Sequence, residues 1–425
     1  MNKKRVFLTS TGCYIVQIET NLIAAYLKKN GYQLVDSTDT AHAIIVTTCA
    51  VTQASANVTY QRILQLIEKK EESTPLYIVG CFTRIELKKM EELLQFDNVF
   101  SIPEIRDIEK EFPGEYSLSF IIYNDFFSHP FANDRLIDYN KKIFFKTKII
   151  KNTFALIDTV LKTEIQFRYL FQNGHLYCPH VQRAIWPVLI AKGCVYKCTY
   201  CVVRKGRGKY TSKPIDLVLK EIETGIQKKY KRVLLIGDEL GTYGIDLKDG
   251  SSLSSLLEKF LLEKYPIKLG IWYLDAFRLK NVASVLEKLA EKDKIFFLGI
   301  TVQTGSKRIL KLMNRHYSIK DTMDVILKLR KYPSIIIATQ FMVGFPTETE
   351  EDFQETLALV KKGCFDNVEV YCYSPRPGTP AAKMLDDVPL HVKEERAKRL
   401  RTLAGKKSRR LLINYILHGI KHAFL

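Results

Sequence analysis

The sequence predicts an α/β protein: a small N-terminal parallel α/β domain followed by a partial (β/α)6 barrel. Two stretches of alternating apolar runs and helix-period segments carry that prediction, one over the first hundred residues and one from Ile185 onward. The length, 425 residues, is the third observation, because it exceeds one ordinary domain.

In the first stretch, RVFLTS (5–10) is a short apolar strand, and a helix over 18–29 ends at Asn30-Gly31. AIIVTT (43–48) is a second strand, followed by a helix over 54–70. LYIVG (76–80) is a third, with a helix over 86–94 behind it. Each strand runs into a cysteine: Cys13, Cys49 and Cys81. In a parallel sheet the loops after the strands leave from one edge, where open α/β folds bind ligands, so the three cysteines are expected to meet. Three separate small core residues is the competing account.

Between 105 and 183 the alternation breaks down and the sequence predicts only a connecting segment. Cys178, near His180, is expected to be an isolated cysteine. From Ile185 six strands are expected, at 187–191, 232–237, 268–274, 296–302, 335–343 and 368–373. Helices fill the gaps at 251–262, 279–291, 318–330 and 350–361, and another opens after Pro214, where a missing N–H costs nothing. Six such units predict a curved parallel sheet with its working face at the strand C-terminal ends. The expected boundaries are 1–104, 105–183, 184–392 and a basic helical tail over 393–425, whose default state is a solvated helix.

The bulk numbers narrow the class. The hydrophobic fraction is 46%, enough for buried cores and against wholesale disorder. No run of about 18 apolar residues occurs, so no membrane helix is expected. The N-terminus makes a poor signal peptide, which places nine cysteines in a reducing cytoplasm and favours metal binding or catalysis over disulfides. Lys and Arg number 65 against 46 Asp and Glu, a formal +19. That field suits a polyanion such as nucleic acid, although a Lys-rich composition tracking an AT-rich genome accounts for it equally well.

The stretch GCVYKCTYC carries Cys194, Cys198 and Cys201 as CxxxCxxC on the loop after the first barrel strand. Three thiolates can hold three irons of a [4Fe–4S] cube and leave the fourth open to a small chelating molecule. A zinc site completed by a distant histidine is the alternative.

This pattern resembles the radical S-adenosylmethionine enzymes, and the methylthiotransferases among them in particular. The resemblance rests on GCVYKCTYC, RGKYTSKP, GTYGIDL, VQTGSKRILKLMNRHY, MVGFPTETEEDF, YSPRPGTPAAKM and the TGC, TTCAV and VGC contexts of the first trio. It implies two [4Fe–4S] clusters. Cys194, Cys198 and Cys201 would hold the one that binds S-adenosylmethionine and cleaves it to a 5′-deoxyadenosyl radical. Cys13, Cys49 and Cys81 would hold the one that presents sulfur. It further implies cofactor contacts at Gly237, Asp238, Gln303, Ser306 and Gly344, for each of which plain turn chemistry is the competing account.

The implied activity is methylthiolation of a tRNA adenosine beside the anticodon, with an electron donor such as flavodoxin or ferredoxin and a sulfur donor as partners. The local wording leans toward the threonylcarbamoyl-adenosine subgroup. A ribosomal-protein side chain, or a small molecule or peptide, is the alternative substrate, and an iron–sulfur or zinc RNA-binding protein the non-enzymatic alternative. The family's C-terminal TRAM barrel is not expected here, because INYILHGIKHAFL reads as helix.

Overall fold

The computed structural model describes residues 4–118 and 185–423. The expected connecting segment lies largely outside those residues, as do Cys178 and His180.

The first domain is a five-stranded parallel sheet built from β1 (Arg5–Ser10), β2 (Gln33–Val35), β3 (Ala43–Thr48), β4 (Leu76–Gly80) and β5 (Val99–Ile102). Its order is β2-β1-β3-β4-β5, so the three expected strands are its central three. Every residue of β3 is buried, which fits a strand covered on both faces. The helix Gln53–Lys69 starts where Thr52 and Ser55 exchange a capping box. Phe112 and Leu118 are buried in this domain, and Tyr26 Oη donates to the Phe112 carbonyl at 2.6 Å. The unit therefore extends past the boundary expected at 104.

The second sheet contains β6 (Trp186–Lys192), β7 (Thr211–Ser212), β8 (Arg232–Gly237), β9 (Lys268–Asp275), β10 (Ile295–Gln303), β11 (Ile336–Val343) and β12 (Asn367–Cys372). It runs β12-β11-β10-β9-β8-β6-β7, parallel except for the short edge strand β7. β12 and β7 are opposite edges, so the barrel is open. The six expected strands are all present, and β7 is the addition.

Alternation along β8 shows how the two domains meet. Val233 and Leu235 join the core beneath the outer helices. Leu234 and Ile236 face the other way and pack with Tyr14, Ile15 and Ile18 from the first domain's helix Tyr14–Lys29. Tyr14 also meets Trp272 with ring centroids 5.8 Å apart. The N-terminal domain thus fills part of the barrel's inner face, and each fully buried aliphatic side chain there contributes about 1.5–3 kcal/mol.

The C-terminal helix, Leu390–Ala423, departs from the expected solvated tail. Ala397, Leu400 and Ala404 are buried in the barrel core. Lys393 and Arg396 are also buried, paired with Asp386 and Glu348. Arg401 donates to the Val370 carbonyl of β12 at 2.7 Å. Its basic residues look exposed in sequence because the carboxylates that pair with them lie outside the helix. Among the described residues no helix is long and apolar enough to cross a membrane.

Candidate functional site

β1, β3 and β4 are neighbours and parallel, so their following loops leave from one edge of the sheet. Gly12 allows the turn after β1, since a Cβ there would lie 2.2 Å from Val16. Cys13 is the residue before the helix Tyr14–Lys29. Gly80 holds a φ of 104°, which an L side chain rarely adopts, and Cys81 follows it as the first residue of the helix Cys81–Ile85.

Threonines tie this edge together. The Thr11 and Thr59 hydroxyls lie 2.8 Å apart, and Thr59 also donates to the Cys49 carbonyl at 2.9 Å. Thr48 donates to the Val79 carbonyl at 2.7 Å. The structure brings the first trio together in this frame. Contact between the thiols pushes Cys13 well up and, as its largest cause, holds Cys49 down to about 5. Burial pushes the Cys81 thiol up to about 12.

The second trio sits on the loop after β6, entered through Gly193 at a φ of 85°. The loop is pinned from two sides. Thr199 donates through its backbone to Met313 O at 3.1 Å and through its hydroxyl to Leu312 O at 2.9 Å. Ala381 N donates to the Thr199 carbonyl at 2.9 Å. Burial raises all three thiols, Cys201 to about 12. Val203 N donates to the Cys201 sulfur at 3.4 Å.

Each trio has a buried arginine beside one sulfur. Arg207 Nη2 lies 3.8 Å from Cys13 Sγ, and Arg315 Nη1 lies 3.9 Å from Cys198 Sγ. Arg315 is held by Asp275 at 2.7 Å and by the Thr301 carbonyl at 2.6 Å. Arg207 is held by Glu19 at 2.7 Å and by Asp238 at 3.2 Å. These arginines escaped the sequence reading. Both lie inside quoted motifs, but nothing local to either motif announces a partner more than a hundred residues away.

The five expected cofactor residues divide. Gly237 ends β8 with Leu240 and the Ala191 carbonyl so close that a Cβ would clash. Asp238, its side chain 6% exposed, lies between the trios, accepting from Gly193 N at 2.8 Å and pairing with Arg207. Gln303 ends β10 at a φ of 70°, a strained position for a non-glycine residue.

Ser306 and Gly344 both have close protein neighbours. The Ser306 hydroxyl donates to Asp352 at 2.5 Å and caps the helix Lys307–Leu312, so helix capping accounts for it. At Gly344 a Cβ would lie 2.2 Å from Lys393 Cγ. Glu239, not singled out in the sequence, is buried and accepts from Gly241 N at 2.6 Å; burial pushes its carboxyl up to about 8.

Among the described residues no three His, Cys, Asp or Glu side chains converge on a single-ion position. A cluster makes a different demand, since each thiolate binds its own iron and the sulfurs ring a volume instead of a point. Cys364 is buried in the barrel core, and Cys372 Sγ lies 3.5 Å from the Lys393 carbonyl, so neither is placed as a fourth ligand.

Comparison with known proteins gives three kinds of likeness. Residues 188–360 match the Radical SAM superfamily model, and residues 5–101 match the model described as Uncharacterized protein family UPF0004. The tRNA-2-methylthio-N(6)-dimethylallyladenosine synthase of Pseudothermotoga lettingae is 31% identical over 423 residues, 97% of this chain and 86% of that protein. The synthase of the same name from Clostridium botulinum is 31% identical over 403 residues, 93% of this chain and 80% of that one. In fold, the chain is similar to the radical S-adenosylmethionine methyltransferase TsrM of Kitasatospora setae. The TM-score is 0.58 at 12% identity, covering 89% of this chain and 77% of TsrM.

Proposed function

The chain belongs to the radical S-adenosylmethionine methylthiotransferases, and on that premise we propose that it methylthiolates C2 of an N6-modified adenosine beside the anticodon of tRNA. The observation that supports this most directly is the meeting of two cysteine trios across one domain interface, with Arg207 and Asp238 between them. A single-cluster enzyme or an RNA-binding module has no use for that arrangement.

The donor set fits two [4Fe–4S] clusters. Cys194, Cys198 and Cys201 would hold one and Cys13, Cys49 and Cys81 the other. Cys49 and Cys81 are buried, Cys13 is exposed and the barrel trio is half-buried; desolvation raises the Cys81, Cys194, Cys198 and Cys201 thiols, a cost that binding to iron would offset. With S-adenosylmethionine bound, the barrel cluster supplies reductive cleavage for hydrogen abstraction, while the N-terminal cluster supplies the sulfur to be inserted. Arg207 and Arg315 place positive charge beside one sulfur of each trio. Asp238 fixes the entry to the barrel loop through Gly193 N. Gln303 ends β10, on the edge where the cofactor would lie.

The names of the relatives favour dimethylallyl-adenosine as substrate over the threonylcarbamoyl form toward which the local motifs lean. The formal +19 suits a tRNA partner, because phosphate neutralisation supplies most non-specific affinity. An electron donor such as flavodoxin or ferredoxin and a sulfur donor complete the reaction, in the cytoplasm. The test is mass spectrometry of tRNA nucleosides from cells with and without this protein. Loss of a 2-methylthio-adenosine upholds the proposal and names the N6 group; an unchanged pool ends it.

A further inference from the structure

We propose that Arg207 is the positioning residue that sets the charge beside the N-terminal trio and locks that trio to the barrel trio. The proposal rests on the reading that both trios hold clusters.

Arg207 is 3% exposed and lies on the helix Val203–Arg207, which begins two residues after Cys201. That helix is wedged into the first domain. Val202, just before it, is buried in the first domain's core with Cys81 and Phe82. Gly206 lets the two helices close: a Cβ there would stand 2.7 Å from Ile85 Cδ1 and 3.3 Å from Cys81 Cβ. The guanidinium therefore lies on a short rigid segment that starts at one trio and ends against the other.

Its partners come from two parts of the chain, the first helix and the end of β8. Cys13 Sγ is 3.8 Å from Nη2, Glu19 Oε2 is 2.7 Å from Nη1 and Asp238 Oδ1 is 3.2 Å from Nε. Lys192 faces the same group, 2.9 Å from Glu19 Oε1. Asp238 carries the connection onward to Gly193, the neighbour of Cys194. The group comprises two cations, of which Lys192 is part-exposed, and two carboxylates. Removing Arg207 leaves an excess carboxylate near Cys13, and negative charge disfavours adding an electron to a cluster there.

The experiment is an EPR-monitored redox titration of anaerobically reconstituted full-length protein, with S-adenosylmethionine added to mark the barrel cluster by its spectral response. Variants are Arg207→Lys, Arg207→Met and Arg207→Met with Glu19→Gln. The last removes one charge of each sign and keeps the comparison open if the single Met variant fails to fold. Arg207→Met is expected to lower the midpoint potential of the N-terminal cluster at least as much as a tenfold change in the one-electron equilibrium, about 59 mV. The barrel cluster should shift less. Arg207→Lys and the double variant should recover most of the difference.

A two-cluster wild type whose N-terminal potential is the same in all four proteins overturns this inference alone. A wild type that holds only one cluster overturns the functional reading beneath it.

Discussion

Arg376 donates to Glu86 at 2.6 Å across the domain interface, 290 residues away in sequence. The same guanidinium reaches the Ala50 carbonyl at 2.6 Å and Gln53 Oε1 at 2.6 Å. Ala50 directly follows Cys49, and Glu86 lies just past the helix that Cys81 begins. One buried cation from the loop after β12 thus grips the loops that carry two of the first trio's cysteines.

Arg376→Ala should therefore destabilise the fold, by less than the about 3–5 kcal/mol of a wholly unpaired buried charge, because it leaves the buried Glu86 with Lys89, 3.8 Å away, as its remaining cation. Arg376→Met with Glu86→Gln should recover much of that loss. Thermal melting of the three proteins checks both. Lys110→Ala, which breaks the exposed pair with Asp107 at 2.8 Å, should leave the melting temperature unchanged.

Separate roles for the two trios predict separable losses. Cys194→Ala should reduce bound iron from about eight to about four per chain and abolish S-adenosylmethionine cleavage. Cys49→Ala should lose about the same iron and keep cleavage, while forming no methylthio product. Iron analysis, 5′-deoxyadenosine release and nucleoside mass spectrometry measure these independently. Methylthio product from the Cys49 variant would sink the division of labour.

The sequence exposed the two trios because each lies on a loop after a strongly apolar strand, and period and composition register such strands. β2 and β5 escaped because they are short edge strands with partly exposed residues, Gln33 and Phe100 among them. The first helix was expected at Ile18 but begins at Tyr14, since its cap residue is Cys13 and makes no side-chain cap bond. The links Arg207–Glu19, Arg315–Asp275 and Arg376–Glu86 were illegible for a different reason. Each joins residues whose separation follows from the packing of two layers, and no local pattern encodes it.

Gln303 and Ser306, three residues apart, should respond in opposite ways. Gln303→Gly relieves a left-handed backbone and should raise stability by about 1 kcal/mol while weakening S-adenosylmethionine binding. Ser306→Ala removes a helix cap and should cost about 0.5–2 kcal/mol with binding intact. Thermal melts and equilibrium binding to reconstituted protein separate the two. Weakened binding in the Ser306 variant at unchanged stability would restore the ligand role that its capping bonds argue against.

Asp352 gives a pH dependence whose sign is fixed by its partners. Burial acts to raise its carboxyl, but hydrogen bonds from Arg308, Ser306 and Thr349 outweigh it and lower the value from 3.8 to about 2. A depressed folded value means the group stabilises the fold above its unfolded value, and that stabilisation is lost as pH falls through about 2. Asp352→Asn should thus cost about 2 kcal/mol at neutral pH. The gap between wild type and variant should be constant above about pH 5 and narrow steadily on acidification, as unfolding curves across that range would show. A gap that widened toward acid would mean the carboxylate is strained by its burial, and that Arg308 and the capping hydroxyls do not compensate it.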